Sequence, residues 1–236
     1  MSCRTQNIMS FIYFFLINLL LFFISCGPKA DNTISKQQNS DNTPTEITEN
    51  SKINPSTNKN NNMSETENTD LESNLVIELK DGKVVIELFR DDAPKHVERI
   101  TKLASEGKYD GVVFHRVIEG FMAQTGDVEF GNSENFKANR VGTGGSDLPD
   151  LEAEFNDRNH VKGTCSMARS QSPDSANSQF FICFDDSSFL DGQYTVWGQV
   201  IEGIEFVDNI KLGSKSDNGS VDNPDSMIKV TVESSQ

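Results

Sequence analysis

The stretch from Phe114 to Asp127 constrains the fold of this chain more than any other part of its sequence. It contains two short segments, separated by Glu119-Gly120, in which an arginine and a glutamine stand among large apolar residues. Successive side chains of a strand point to opposite faces, so Phe114, Arg116 and Ile118 are predicted to share one face of the first segment. The residues predicted to share a face of the second segment are Met122, Gln124 and Gly126. Because a charge on an apolar face is costly unless it is paired, this pattern indicates a functional site.

Strand-like runs dominate the chain around this stretch. We predict strands at 75–79, 83–88, 112–116, 122–126, 161–168, 179–184, 194–199 and 227–232. Apolar residues at helical spacing predict only two helices, one from Pro94 to a stop at Gly107 and a short one over 204–210. Many short strands with two helices predict a mainly β fold, a closed antiparallel barrel.

The start of the first predicted helix carries two local expectations. Asp91-Asp92 comes directly before Ala93-Pro94, an arrangement that is suited to capping the helix. His96 follows on the same helix, and we interpret it as an ordinary surface histidine.

The N-terminal third is predicted to lie outside the folded domain, which we place at 74–236. Residues 1–25 contain a short apolar run behind Arg4, as in an export signal, and the run is shorter than the about 20 residues that span a bilayer. Ser25-Cys26-Gly27 resembles a bacterial lipobox, which predicts a lipid on Cys26 and anchoring to a membrane, with the domain in the periplasm or on the cell surface. An uncleaved signal anchor is the alternative. Residues 26–73 are rich in Asn, Ser and Thr and contain no aromatic residue, so we expect a disordered tether.

Charge excludes two kinds of partner. The chain has a formal net charge of −15, and from Asn74 onward it contains 16 Lys and Arg against 28 Asp and Glu. Nucleic acids and anionic lipid surfaces bind positively charged protein surfaces, so we expect neither as a direct partner of this acidic domain.

Several catalytic chemistries are disfavoured by their missing motifs. His115 and His160 are possible bases, but there is no Gly-x-Ser-x-Gly turn for a hydrolase. The sequence also lacks His-Glu-x-x-His and Cys-x-x-Cys, so neither a metal nor another cofactor is expected. The glycine-rich segment 142–146 is not followed by the Lys-Ser/Thr of a phosphate loop, and we interpret it as a mobile loop that lines a cleft.

Four motifs in the same order resemble the cyclophilins, a family of peptidyl-prolyl cis-trans isomerases. They are Phe114-His115-Arg116-Val117-Ile118 with Gly120 to Asp127, then Ser166 to Arg169, Ser178 to Ile182, and Leu190 to Gly198. The resemblance covers about residues 74–232. It implies an eight-stranded barrel with a helix over each open end, and an enzyme that rotates X-Pro peptide bonds and takes proline-containing segments of unfolded or exported proteins. We expect the domain to be a monomer.

The resemblance also implies roles for individual residues. Arg116, Gln124 and Phe121 correspond to catalytic positions, with the guanidinium aimed at the proline nitrogen. The residues implied to bind the substrate are His115, Met122, Ala168, Arg169, Gln179, Phe181, Phe189, Leu190 and Tyr194. Phe189 stands where many eukaryotic members have a tryptophan that contacts cyclosporin, and Tyr194 where the family often has histidine.

Two questions stay open at this point. A tethered chaperone or adhesin that uses the same cleft only to bind is the alternative function, although the intact Arg116 and Gln124 argue against it. Cys165 and Cys183 fall in predicted buried strands of an exported domain, where a disulfide is possible and free thiols are favoured.

Overall fold

The computed structural model describes residues 73–234. The predicted signal segment, Cys26 and the tether lie outside them, except for the tether's last predicted residue, Ser73, which begins the first strand. Eight strands follow one another along the described chain: β1 Ser73–Leu79, β2 Gly82–Leu88, β3 Arg116–Ile118, β4 Met122–Thr125, β5 Thr164–Met167, β6 Phe180–Cys183, β7 Val196–Glu202 and β8 Lys229–Ser234.

These strands form a single antiparallel sheet in the order β3-β4-β6-β5-β7-β2-β1-β8. The outer strands β3 and β8 share no ladder within residues 73–234. The segments that precede them connect the two edges instead: Gly111 N–H donates to Met227 O over 2.7 Å, and Phe114 N–H to Asp225 O over 2.9 Å. The predicted mainly β fold with eight antiparallel strands is therefore confirmed.

The third strand begins later than predicted, at Arg116 rather than Val112. Val113 N–H donates to Gly131 O while Phe114 N–H donates to Asp225 O, so the segment before β3 bonds alternately to two different neighbours. This irregular backbone breaks the alternation of side chains. Phe114 accordingly lies in the main core with Val117, and the prediction that it shares a face with Arg116 is wrong.

The main core fills the inside of the curved sheet. Trp197 and Tyr109 are completely buried, and both rings pack edge-to-face with Phe180, at centroid distances of 5.3 Å for Trp197 and 5.7 Å for Tyr109. The Tyr109 hydroxyl donates to Ser178 O over 2.8 Å, which satisfies the polar end of a side chain whose pKa is raised by burial. This packing holds the core-facing side of β6 in place, and the opposite side of the same strand carries part of the candidate site.

The first helix, α1, spans Pro94–Ser105, and a distant residue caps it. Neither Asp91 nor Asp92 makes a side-chain capping bond, so that prediction is wrong. Glu154 accepts instead from the backbone N–H groups of Lys95 over 3.2 Å and His96 over 3.1 Å, which satisfies two of the donors that every helix start leaves free.

His96 is buried, so its interpretation as a surface residue is also wrong. Its Nδ1 lies 2.6 Å from Glu154 Oε2, and burial lowers the pKa of the imidazole. The second helix, α2, spans only Ile204–Asp208. No helix in the described part of the chain is long and apolar enough to cross a membrane.

The strand register explains why Cys165 and Cys183 remain free thiols. Cys165 lies opposite Ile182, so these two side chains share a face, and Cys183 points to the other face. The two cysteines accordingly belong to different apolar clusters. Burial raises the pKa of both thiols, to about 12 for Cys183.

Candidate active site

The register of β3 and β4 brings Arg116 opposite Gln124, and Ile118 opposite Met122. Arg116 Nη1 donates to Gln124 Oε1 over 3.1 Å and lies 3.9 Å from Met122 Sδ. The two segments predicted on either side of Glu119-Gly120 are therefore paired strands, and their pairing brings the guanidinium next to an apolar side chain.

The hydrogen-bond partners that Arg116 has within residues 73–234 are all neutral. Nε donates to Asn218 O over 3.0 Å and Nη2 to Asn218 Oδ1 over 3.2 Å, and no carboxylate in residues 73–234 pairs with the guanidinium. Burial lowers the pKa of Arg116, but a guanidinium still keeps its proton in a protein. The site therefore contains a partly desolvated cation without a counter-charge.

Next to this cation is a cavity of about 190 Å³. Nine of the predicted site residues line it: Arg116, Phe121, Met122, Gln124, Ala168, Arg169, Phe181, Leu190 and Tyr194. Its floor is a small apolar cluster of its own, separate from the main core, which includes the buried Met122, Phe181 and Leu190. A small apolar ring can be buried there with a polar edge facing Arg116.

Arg169 and Tyr194 form one side of the cavity as a unit. The Arg169 guanidinium lies 4.5 Å above the centre of the Tyr194 ring and donates to Gln193 O over 2.9 Å. A cation stacked on an aromatic face is favourable, so this contact holds both side chains at the cavity edge.

Three predicted site residues do not line the cavity. Phe189 is 64% exposed, and its ring centroid lies 5.4 Å from that of Phe121 at the rim. Gln179 is connected to the cavity through Gln124, whose Nε2 donates to Gln179 Oε1 over 3.1 Å. His115 is buried behind the site against Gly142, and the burial lowers its pKa to about 4, despite an opposing effect of Asp127.

A second, polar groove of about 420 Å³ adjoins the cavity and shares Gln124, Ala168 and Arg169 with it. The glycine-rich segment 142–146 lines this groove, as predicted for a loop along a cleft. The buried Asp127 shapes that loop, because its Oδ2 accepts from the N–H groups of Gly142 over 2.7 Å and Gly144 over 3.0 Å.

The side chains of His160, Ser166 and Asp191 make the hydrogen bonds of a hydrolytic triad but cannot act as one. His160 Nε2 lies 3.0 Å from Ser166 Oγ, and Nδ1 lies 2.8 Å from Asp191 Oδ1. Ser166 and His160 are completely buried, however, and the serine hydroxyl donates to Thr195 O over 2.9 Å. Since the imidazole stacks on Phe181 with centroids 6.1 Å apart, the group supports the cavity wall.

Sequence reasoning missed two residues of the site, Asp127 and Asn218. Asp127 ends the motif that identified the site, but nothing local shows that its carboxylate will accept from a loop 15 residues away. Asn218 lies 102 residues from Arg116. The only local signal there is Asn218-Gly219, a pair that is typical of a left-handed turn.

A family model described as "Cyclophilin type peptidyl-prolyl cis-trans isomerase/CLD" matches residues 74–232. Among curated proteins, a probable peptidyl-prolyl cis-trans isomerase of Brucella suis is 61% identical over 165 residues, which are 70% of this chain and 84% of the relative. A peptidyl-prolyl cis-trans isomerase of Helicobacter pylori is 39% identical over 139 residues, 58% of this chain and 79% of the relative.

Two solved structures share the fold. The cyclophilin AquaCyp293 from Hirschia baltica has a TM-score of 0.56 at 28% identity and covers 67% of this chain and 73% of its own. A cyclophilin-type isomerase of Cryptosporidium parvum, crystallised in the presence of the dipeptide Ala-Pro, has a TM-score of 0.58 at 25% identity and covers 69% of this chain and 99% of its own.

Proposed function

The chain belongs to the cyclophilin-type peptidyl-prolyl cis-trans isomerases, and we propose on this premise that it rotates X-Pro peptide bonds in the cavity beside Arg116. The observation that carries the proposal is a guanidinium that pairs with no carboxylate of the described residues, at the edge of an apolar cavity of about 190 Å³. That combination suits a reaction that needs neither a nucleophile nor a metal.

The barrier to this reaction is the resonance of the amide, about 18–20 kcal/mol. When the bond twists, the proline nitrogen loses its conjugation, becomes pyramidal and gains a basic lone pair. A donor that reaches this nitrogen stabilises the twisted state more than the planar one, and such a difference is what catalysis requires. Arg116 is the donor in this proposal.

The apolar floor restrains the substrate during the rotation. Phe121, Met122, Phe181 and Leu190 accept the proline ring, so the rotation moves the other side of the bond. Gln124 Nε2 has two N–H donors, of which Gln179 takes one, and the other is available to a peptide carbonyl.

The energetic requirement is moderate. Uncatalysed isomerisation takes tens of seconds or longer, and turnover in milliseconds needs a factor of about 10⁴, or roughly 5–6 kcal/mol. A charged donor in a partly desolvated site supplies several kcal/mol, and a restrained ring supplies part of the remainder.

The test is the isomerisation rate of a short Ala-Pro peptide with the purified full-length protein and its Arg116→Ala and Arg116→Lys variants. Arg116→Ala is expected to lower kcat/KM by at least about 10²-fold, with a smaller effect on peptide affinity. Arg116→Lys should restore little, because an ammonium lacks the planar fork of a guanidinium. Arg158→Ala is the matched control, since Arg158 is a half-exposed arginine that pairs with Asp92.

Two results would contradict this function. An inactive wild-type protein that still binds the peptide would favour the alternative of a chaperone or adhesin. Full activity in Arg116→Ala would be consistent with an isomerase but would contradict the proposed role of Arg116 as the donor to the proline nitrogen.

We also propose that the domain works outside the cytoplasm, tethered through a lipid on Cys26, on proline-containing segments of exported proteins. The support is the export-signal pattern of residues 1–25, the Ser25-Cys26-Gly27 motif and the polar composition that follows it. Cys26→Ser should move the protein from the membrane fraction to the soluble or the unprocessed pool. Unchanged membrane retention with a cleaved signal would contradict the lipid anchor.

A further inference from the structure

Arg116 is bonded to a part of the chain far from the strands that carry the site. Asn218 accepts from it twice, through the main-chain oxygen to Nε at 3.0 Å and through Oδ1 to Nη2 at 3.2 Å. Gln124 Oε1 accepts from Nη1 at 3.1 Å. Among the described residues, Asn218 thus supplies two of the three oxygen atoms that accept from the guanidinium.

These bonds determine which donors remain for a substrate. A guanidinium has five N–H donors in one plane, and the three bonds to Asn218 and Gln124 use one on each nitrogen. One donor on Nη1 and one on Nη2 are left. Since both bonds to Asn218 hold the Nε–Nη2 edge, they fix the plane in which the remaining donors lie.

The loop that carries Asn218 is itself tightly built. Asn218 has φ 47° and ψ 34°, a left-handed conformation that asparagine tolerates better than most residues. The loop is attached to β3 right beside Arg116, because Val117 N–H donates to Gly219 O over 2.7 Å and Gly213 N–H to Val117 O over 2.9 Å.

Glycine is required at 219 for this close approach. Its φ is +81°, and a Cβ there would lie 2.5 Å from a side-chain carbon of Ile118. Asn218-Gly219 therefore brings an exposed loop residue within hydrogen-bond distance of Arg116 while the backbone around it stays fixed.

We propose that Asn218 is a positioning residue for the isomerisation, one that holds the guanidinium of Arg116 in the orientation that the twisted X-Pro bond requires. This role rests on the proposed function. Asn218 does not line the proline cavity, so it acts through Arg116 and not by contact with the substrate. Its loss should affect the rate of rotation more than the affinity for the peptide.

The decisive variant is Asn218→Gly in the full-length protein. Glycine adopts the left-handed backbone without strain, so the loop and the bond from Nε to the main-chain oxygen are kept while the Oδ1 acceptor is removed. We expect kcat to fall about five- to tenfold, with KM changed less than about twofold.

Asn223→Gly is the matched control. Asn223 is the other described asparagine with a left-handed backbone, φ 50°, and it is exposed outside the site. The same chemical change there should leave kcat, KM and the midpoint of urea unfolding as in the wild type.

A double-mutant cycle separates positioning from a general structural role. Asn218→Gly should have almost no further effect in the Arg116→Ala background, because its target is missing, whereas a structural role would lower activity equally in both backgrounds. Equal losses in both backgrounds, or wild-type kcat in Asn218→Gly, would overturn the inference. If Arg116→Ala itself keeps wild-type activity, the proposed mechanism fails first, so the two failures can be told apart.

Discussion

His115 makes the stability of this domain depend on pH between about 4 and 6.5. It is 7% exposed and lies against Gly142. Burial lowers its pKa from 6.5 to about 4; nearby Asp127 opposes this shift and Arg116 adds to it. The substitution that tests the consequence is His115→Gln, which removes the titrating group and keeps a polar side chain.

The sign follows from the two pKa values. Between pH 4 and 6.5 the unfolded chain binds a proton at His115 that the folded chain does not bind, so acid favours unfolding. The contribution is fully present above pH 6.5 and is lost as the pH falls toward 4. Linkage gives a loss of about 2 kcal/mol by pH 5 and about 3 kcal/mol by pH 4, a large part of the typical 5–15 kcal/mol of a domain.

Urea unfolding at pH 5, 6, 7 and 8 measures this effect, with fluorescence of the chain's single tryptophan, the buried Trp197, as the signal. The free energy of unfolding of the wild type should fall from pH 7 to pH 5 by about 2 kcal/mol more than that of His115→Gln. Comparing the two proteins cancels the contributions of the other ionisable groups, which both proteins contain.

Parallel pH profiles would refute the reasoning, since they would mean that His115 has the same pKa folded and unfolded. A steeper fall in the variant than in the wild type would reverse its sign. A change in the slope of unfolding against urea would point instead to an altered unfolded state.

Three other predictions concern different parts of the domain. Glu154→Gln should lower the free energy of unfolding by about 1–2 kcal/mol in urea titrations, with kcat retained, because it weakens the cap of α1 and the partner of His96. Phe189→Trp should tighten inhibition by cyclosporin by about tenfold, because an indole adds a donor and apolar area at the rim; unchanged inhibition would assign drug affinity to another part of the surface. Cys165 and Cys183 should react with a thiol reagent only after unfolding, because both are buried. Oxidant should not join them in a disulfide, because their side chains lie on opposite faces of the sheet; a bridged form on a non-reducing gel would contradict the register.

Interactions within a few residues could be predicted from the sequence. The β1–β2 hairpin was expected from two apolar runs around Asp81-Gly82, and its strands differ from the prediction by two residues or fewer. Arg116 and Gln124 were predicted on two neighbouring short strands that Glu119-Gly120 separates, and the structure pairs these strands with Arg116 opposite Gln124. Both predictions depend on the alternation of side chains along a strand and on glycine-containing turns, and these are properties of a few consecutive residues.

Interactions between distant segments could not be predicted in this way. Asp91 and Asp92 have the composition of a helix cap, but Glu154 reaches the same N–H groups from 58 or 59 residues away. His96 is buried by that same partner, which no helical periodicity reveals. The displaced start of β3 likewise depends on pairing with Asp225 and Met227 at the other end of the domain.

The choice of neutral partners for Arg116 links the fold to the chemistry. A carboxylate at the place of Gln124 or Asn218 would hold the guanidinium more strongly, since hydrogen bonds between charged groups are about twice as strong as neutral ones. The carboxylate would also neutralise the charge of Arg116, and it would do so equally whether the X-Pro bond of the substrate is planar or twisted. Amide and main-chain oxygens fix the orientation and leave the charge available to the nitrogen of the twisted bond, where it lowers the barrier. From Asn74 onward the chain contains 28 acidic residues, yet none of those that the structure describes pairs with Arg116, and this is what the mechanism requires.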